Sequence, residues 1–209
     1  FLCRMAKELL DVKIKEKFNI ELFTTWSFYF PGKRCFEGQR ELFDTYGIRK
    51  PVFNAFEMLA RLGEERLRVI SNDEEKDDSK YGRFPTIDGL AARSGQEQIQ
   101  VIVWHQVRDQ YAQGERNIKV ILDHLPWEGN VRIKHYRIDE THSNAHTVWK
   151  TLGSPDYPTI EELAIIKKKE GLEKYQPDRM MPVEERSLSI YTKMPMHSVS
   201  LFILEPAGH

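Results

Sequence analysis

Residues 139–162 read DETHSNAHTVWKTLGSPDYPTIEE and bring together neighbours that are uncommon in combination. Thr159 is a favourable N-cap residue, and the acidic Glu161 and Glu162 suit the positive end of a helix dipole. The stretch therefore predicts a helix that begins at Ile160 and ends near Gly171. The unusual neighbours are, in order, His142-Ser143-Asn144-Ala145, Val148-Trp149, Gly153-Ser154-Pro155 and Pro158-Thr159.

This ordered series resembles glycoside hydrolase family 39, which includes β-xylosidases and α-L-iduronidases. A second segment is similar to the last strand and helix of the family's barrel, and the whole resemblance runs from about Phe1 to Leu204. It implies a retaining exo-glycosidase that is similar to β-xylosidases and hydrolyses xylosides or related plant or microbial glycans without a cofactor. The second segment consists of Trp26-Ser27-Phe28, Phe36-Glu37-Gly38, Arg40, Leu42, Lys50-Pro51-Val52 and Asn54-Ala55-Phe56.

The expected fold class is α/β plus all-β: the C-terminal fragment of a (β/α)8 TIM barrel followed by an antiparallel β-sandwich. Apolar spacing changes from helical to alternating near residue 66, which predicts two domains, 1–66 and 67–209. In the first domain the spacing predicts a helix over 1–17, and the apolar run 20–28 predicts a buried parallel strand. A second helix is predicted from Pro51 to Leu62, with Gly63 as its C-terminal stop.

The second domain is predicted to contain short strands joined by turns. Ile99, Val101 and Val103 alternate with glutamines, which predicts a strand with one apolar and one polar face. Further strands are predicted at 118–122, 131–138, 188–192 and 199–204, and the polar run 71–80 predicts an exposed hairpin end or connection. With one inserted helix, these strands favour the sandwich.

The first residues indicate a truncated protein. Phe1 precedes the first Met at position 5, and apolar residues already recur at helical spacing, so we expect Phe1 to be a cut. Retaining glycosidases need two carboxyl groups about 5 to 5.5 Å apart. The family places them in an Asn-Glu dipeptide and a Thr-Glu context, and the sequence contains neither dipeptide. We therefore assign no catalytic residue and expect the pair upstream of Phe1, so that this fragment alone is inactive.

The candidate substrate-binding residues are Trp26, Phe28, Lys33, Arg34 and Glu37. The C-terminal ends of barrel strands carry the active site, and an indole face can stack on a sugar ring, as the resemblance implies for Trp26. A core tryptophan at a strand end is the alternative. Lys33 and Arg34 stand where many xylosidases of the family have acidic residues. They would suit a substrate carboxylate and a uronide-specific, iduronidase-like enzyme, or else form a solvated surface.

Composition limits the partners. With 31 basic and 32 acidic residues, the charge balance gives no support to a nucleic-acid or membrane partner. Cys3 and Cys35 are expected to be free thiols. His142 and His146 would suit a metal on one helix, but the Glu of a His-Glu-x-x-His site is missing, so we predict no metal. A non-catalytic carbohydrate-binding module, or a structural sandwich that assembles a homo-oligomer, remains the alternative. The compartment stays open.

Overall fold

The computed structural model describes residues 1–21, 32–38, 41–79 and 82–207. Four helices and ten strands are formed within these ranges, and most of the predicted elements are among them. The predicted strand 20–28 lies almost wholly outside the described residues. The elements are α1 (Leu2–Glu16), α2 (Pro51–Ala60), β1 (Glu65–Leu67), β2 (Lys76–Ser79), β3 (Gly82–Pro85), β4 (Ile87–Ser94), β5 (Gln98–His105), β6 (Glu115–Leu122), β7 (Gly129–Ile138), α3 (Ala145–Thr151), α4 (Ile160–Lys167), β8 (Glu173–Val183), β9 (Leu188–Pro195) and β10 (Ser198–Pro206).

The strands form one six-stranded antiparallel sheet and two smaller pairs. The order in the large sheet is β1-β4-β5-β10-β7-β8, so β10 lies between β5 and β7. Leu201 of β10 is opposite Ile102 of β5 and Tyr136 of β7. Strands β6 and β9 form a separate ribbon, and β2 and β3 form a hairpin. The antiparallel all-strand region predicted from the sequence is confirmed.

The edge strand β8 was not predicted. It contains Pro177 and Pro182, which lack an amide proton and usually argue against a strand. An edge strand tolerates proline because one side of its backbone pairs with no neighbour. Among the strands that the structure describes, β8 pairs with β7 alone, with register shifts near His135, and this edge position explains how the prolines fit.

The large sheet is buried on both faces. One face packs against the β6–β9 ribbon through what we call the ribbon-side core, and the other packs against α1 and α2 through the helix-side core. The ribbon-side core includes Val101, Val103, Val131, Ile133, Phe202 and Leu204 from the sheet and Leu122, Leu188, Ile190 and Met194 from the ribbon. The helix-side core includes Cys3, Ala55 and Met58 from the helices and Leu90, Ile102, Trp104, Ile138, Leu201 and Ile203 from the sheet.

This packing corrects the prediction of a polar face on β5. Gln100 is fully buried, because the helical layer covers the face that the alternation assigned to solvent. Its side-chain oxygen accepts a hydrogen bond from the Gly63 amide at 3.0 Å, and its side-chain nitrogen donates to Ser94 Oγ at 3.1 Å. A buried amide is tolerated only when its polar atoms are paired in this way.

Gly63 also has a different role from the one predicted. Helix α2 ends at Ala60, three residues before the glycine. A Cβ at Gly63 would lie 2.2 Å from the carbonyl of Arg93 on β4. Close approach of two backbones, rather than a helix stop, therefore requires glycine here.

The insertion between β7 and β8 holds two helices, α3 and α4, where the sequence predicted one. The capping interactions at Thr159 are present: its Oγ1 accepts from the Glu162 amide at 3.2 Å, and the Glu162 carboxylate accepts from the Thr159 amide at 2.7 Å. Helix α4 ends at Lys167, before the predicted Gly171. The division into domains 1–66 and 67–209 stays a prediction. Helices α1 and α2, from the first range, pack in the helix-side core together with strands of the second range.

Both thiols are buried and free, as predicted. Burial raises the pKa of Cys3 to about 11. Among the described residues, no helix has the length and the apolar character needed to cross a membrane.

Candidate substrate-binding loop and its supports

Three of the five candidate residues lie in one short loop. We call residues 32–38 the Arg34 loop; it contains Lys33, Arg34 and Glu37. Trp26 and Phe28 lie outside the described residues. The loop leads through 41–50 into α2, which packs on the large sheet.

Glu37 holds the loop together from within. Its carboxylate Oε2 accepts hydrogen bonds from the backbone amides of Lys33 at 2.7 Å and Arg34 at 3.0 Å. These two amides lower the pKa of Glu37. One carboxylate oxygen is thus used by the loop's own backbone, so only the other oxygen is left to meet a ligand.

Arg34 lies between two carboxylates. Its guanidinium nitrogens are 3.7 Å from a Glu37 oxygen and 3.7 Å from a carboxylate oxygen of Asp156, and its side chain is 53% exposed. Asp156 belongs to the segment between α3 and α4. With the exposed Lys33, two cations and two carboxylates therefore meet at this surface.

Asp44 is the buried support of the loop, and sequence reasoning missed it. Its Oδ2 accepts from the Phe36 amide and from the Cys35 thiol, both at 3.3 Å. Its Oδ1 accepts from the amides of Tyr46 at 2.9 Å and Ile48 at 2.8 Å. Burial and the Asp44 carboxylate raise the pKa of Cys35 to about 12, so this thiol is protonated and unreactive. An Asp followed two residues later by a bonded amide is an Asx-turn, which was the available signal.

Trp149 and Pro155, which belong to the series that carries the family resemblance, lie next to the Arg34 loop. The Phe36 ring lies 5.0 Å from the His146 ring and 5.2 Å from the Trp149 ring. The indole N–H of Trp149 donates to the Pro155 carbonyl at 3.0 Å, which fixes the following turn. The Cys35 amide then donates to the Asp156 carbonyl at 2.8 Å. The insertion therefore contacts the loop through both side chains and backbone.

His142 and His146 do not converge. His142 precedes α3, and its Nδ1 is 2.9 Å from Asp139 Oδ1, whereas His146 lies in α3 and stacks on Trp149. Burial and nearby lysines lower the pKa of His146, so its ring is neutral at pH 7. Across the part of the chain that the structure describes, no group of three or more His, Cys, Asp or Glu side chains is placed to hold a metal ion.

Ser143 links the insertion to the sheet and to α2. Its hydroxyl donates to the Arg137 carbonyl at 2.7 Å and accepts from the Glu173 amide at 2.8 Å. The side-chain amide of buried Asn54 in α2 donates to the carbonyls of Ser143 at 2.9 Å and Glu170 at 3.0 Å. The His-Ser-Asn-Ala segment is thus a structural connection between three parts of the fold.

A buried charged cluster lies under this connection. Arg137 is fully buried, and its Nη1 is 3.6 Å from Asp139 Oδ2. Its Nε donates to Ser200 Oγ at 2.8 Å, and its Nη2 donates to Thr192 Oγ1 at 3.0 Å. Ser200 Oγ accepts a hydrogen bond from Arg137, and its hydroxyl group donates one to His135 Nε2, 2.9 Å away. Burial and Arg137 lower the pKa of His135 to about 3, so this ring is neutral.

The fold is similar to that of part of two solved glycosidase structures. A monomeric β-xylosidase from Caulobacter crescentus CB15 aligns with a TM-score of 0.68 and 19% identity, over 85% of this chain and 35% of that chain. A bacterial orthologue of human α-L-iduronidase aligns with a TM-score of 0.62 and 20% identity, over 77% of this chain and 28% of that chain.

Sequence comparison gives the family. The model of glycosyl hydrolases family 39 matches residues 25–183. A β-xylosidase from Caldicellulosiruptor saccharolyticus is 32% identical over 158 residues, which are 73% of this chain and 30% of that protein. The chain belongs to glycosyl hydrolase family 39, and the resemblance inferred from the sequence is confirmed. The chain spans 30% of the length of the β-xylosidase that it matches.

Proposed function

We propose that this chain is the C-terminal part of a retaining exo-glycosidase that hydrolyses β-xylosides or related glycans. Residues 1–66 would supply the last helix–strand–helix portion of a (β/α)8 barrel, and the sheets would form the β-sandwich beside it. The family match carries this proposal, because it covers residues 25–183, which include the Arg34 loop and the insertion. The name of the 32% identical relative supports the choice of a xyloside.

The carboxylates around the loop support a catalytic pair located elsewhere in the enzyme. Glu37 is bonded to its own loop, Asp44 is buried beneath it, and Asp156 faces Arg34. A retaining mechanism needs one carboxyl group as acid/base and a second as nucleophile about 5 to 5.5 Å away, both facing the sugar. The role of this chain would then be to bind the glycone with the Arg34 loop, while upstream residues carry out the chemistry.

The charge balance of the loop favours a neutral sugar. A uronate carboxylate would meet two carboxylates, those of Glu37 and Asp156, which already lie 3.7 Å from Arg34 and balance its charge. Bidentate recognition of a carboxylate needs a guanidinium edge that is free of competing anions. We therefore place the β-xylosidase-like activity ahead of the uronide-specific, iduronidase-like alternative.

Enzyme kinetics on the full-length enzyme test the activity. We expect hydrolysis of 4-nitrophenyl β-xyloside with retention of configuration, a lower kcat/KM on 4-nitrophenyl α-iduronide, and no turnover by residues 1–209 alone. Arg34→Lys keeps the charge and loses the fork, so equal small effects on both substrates are expected for a neutral-sugar site. A loss confined to the iduronide would instead establish the uronide-specific enzyme. Sugar binding without turnover by the full-length enzyme would favour a carbohydrate-binding module.

The apolar surface of α1 supports the proposed barrel. Leu10 and Ile14 lie four residues apart on α1 and are 37% and 65% exposed, and Phe18, just after the end of the helix, is 61% exposed. Beside them an apolar cleft of about 520 Å³ opens between α1, α2 and β4. Such a surface normally lies against other parts of a protein. We expect the isolated chain to bind a hydrophobic dye and to self-associate, and an Ile14→Lys variant to do so less. A monodisperse wild-type chain that binds no dye would contradict the barrel assignment.

A further inference from the structure

The Arg34 loop is held by two sets of contacts from different parts of the chain. Asp44, from the neighbouring segment, accepts hydrogen bonds from the Phe36 amide and the Cys35 thiol. The insertion between β7 and β8 contacts the same two loop residues, through the Asp156 carbonyl on the Cys35 amide and the Trp149 ring on the Phe36 ring. The second set comes from residues more than 100 positions away in sequence.

The loop backbone is strained where the two sets meet. Phe36 has a φ of +52°, a conformation that a residue with a Cβ rarely adopts. Such a conformation persists only where the surroundings fix it, and these residues are concentrated at functional sites. The rings of His146 and Trp149 enclose the Phe36 side chain on the side of the insertion. The insertion therefore contributes to selecting the loop conformation.

The tip of the loop is fixed by the same segment. Trp149 donates its indole N–H to the Pro155 carbonyl, and the next residue, Asp156, contacts the loop with its backbone oxygen and its carboxylate. A shift of Trp149 would therefore move Asp156, and with it the point where Arg34 projects. Through these contacts, the packing of Trp149 in the insertion influences the position of Arg34 at the loop surface.

We propose that Trp149 and Asp156 are positioning residues for the glycone subsite, through which the insertion between β7 and β8 fixes the Arg34 loop in its binding conformation. The inference rests on the proposed function, since it assigns the loop to the sugar. Neither residue needs to touch the reacting atoms. Trp149 acts on the Phe36 ring and on the 153–156 turn, and Asp156 acts through its backbone carbonyl, which accepts from the Cys35 amide.

Trp127 provides a matched control in the same chain. Its indole N–H also donates to a backbone carbonyl, that of Gln96 at 2.6 Å, and its ring belongs to the ribbon-side core. Trp149→Leu and Trp127→Leu thus remove the same chemical group, and only Trp149 contacts the Arg34 loop. Trp149→Phe keeps an aromatic face against Phe36 and loses only the indole hydrogen bond.

Hydrogen exchange on this chain tests the contact itself, independently of any activity. In Trp149→Leu the Cys35 amide is expected to exchange on the order of tenfold faster, because its bond to Asp156 opens more often. Trp127→Leu should leave the exchange of this amide unchanged even if it lowers the melting temperature. Equal exchange of the Cys35 amide in both variants would overturn the proposal.

Kinetics of the full-length enzyme test the consequence. Trp149→Leu is expected to lower kcat/KM for the aryl xyloside roughly tenfold, mostly through KM, because a misplaced loop weakens the oriented complex. Asp156→Asn keeps the backbone carbonyl that holds the Cys35 amide, so its kcat/KM should stay close to that of wild type. Trp149→Phe keeps the ring contact with Phe36 but not the bond to Pro155, so it should recover part of this loss, and Trp127→Leu should keep the wild-type kcat/KM. Unchanged constants in Trp149→Leu would overturn the positioning role. A full-length enzyme without glycosidase activity would refute the proposed function, while the exchange result would still decide the coupling.

Discussion

Arg137 and Arg34 have carboxylates at nearly the same distance, 3.6 and 3.7 Å, in different surroundings. Arg137 is fully buried, whereas the side chain of Arg34 is 53% exposed. Water screens the exposed pair, so its two partners can separate at little cost. The buried arginine has no such alternative, since an unpaired charge in the core is expensive. Burial rather than distance therefore separates the fixed part of this molecule from the adjustable part.

The largest expected effect is on the buried member of the pair. Arg137→Met should lower the free energy of unfolding by about 3 to 5 kcal/mol, because it removes the buried cation beside Asp139 and leaves the hydroxyl oxygens of Ser200 and Thr192 without their donor. Arg34→Met should change it by about 0 to 1 kcal/mol. Urea unfolding of both variants measures the difference. If both variants lost the same stability, the distinction by burial would be wrong.

The pH dependence of stability should separate the two regions next. The folded pKa of His135 is about 3 and its ordinary value is 6.5, so its stabilising contribution is complete above 6.5 and is lost as the pH falls toward 3. The slope reaches about 1.4 kcal/mol per pH unit, which amounts to roughly 3 kcal/mol at pH 4. Urea unfolding between pH 7 and 4 should show that the free energy of unfolding falls less steeply with pH in His135→Gln than in wild type.

The loop provides the internal comparison for this measurement. The pKa of Glu37 is lowered from 4.5, so its contribution persists above that value and is lost only as the pH falls below it. Glu37→Gln should therefore leave the slope between pH 7 and 5 as it is in wild type. A slope that His135→Gln did not change would show that another group titrates there.

Asp44 should give an intermediate effect, because it is buried like Arg137 but belongs to the loop. Asp44→Asn removes the charge that the Phe36 amide and the Cys35 thiol share, and about 2 kcal/mol of stability should be lost. The pKa of Cys35 should fall from about 12, since burial alone would then raise it. Thiol titration with a reactive disulfide measures this change, and Asp156→Asn is the exposed control.

The smallest expected effect is local. Glu37→Gln should leave the melting temperature unchanged and speed the exchange of the Lys33 and Arg34 amides, which would lose their bond to a full negative charge. Hydrogen exchange followed by NMR measures both amides. Exchange at the wild-type rate would mean that the loop is fixed by its outer contacts alone.

Local signals made part of this structure predictable. The Thr159 cap and the helix after it depend on residues three positions apart, and Pro51 begins α2 as predicted. Gln100 is buried because helices that are distant in sequence cover its face of the sheet. Alternation along β5 alone therefore assigned it to the wrong environment. Arg137 donates to Thr192 and Ser200, which are 55 and 63 residues away, so no local sequence pattern predicts this cluster.

The candidate site follows the same rule. Lys33, Arg34 and Glu37 were identified together because they are neighbours in sequence. Trp149 was noticed for its place in the family series, but its contact with Phe36 joins segments more than 100 residues apart and needed the fold. Asp44 was missed because its function is carried by backbone amides, which leave no trace in residue type beyond the short turn.

The central place of β10 has a consequence for the order of events during synthesis. The ribosome makes β1, β4 and β5 first and then β7 and β8, yet the strand that joins these two groups, Ser198–Pro206, is made after all of them. Until it emerges, β5 and β7 present unpaired backbone groups along apolar strands, the kind of edge that recruits other chains. The sheet can therefore close only after translation of residue 206, and until then both edges stay open to pairing with other chains.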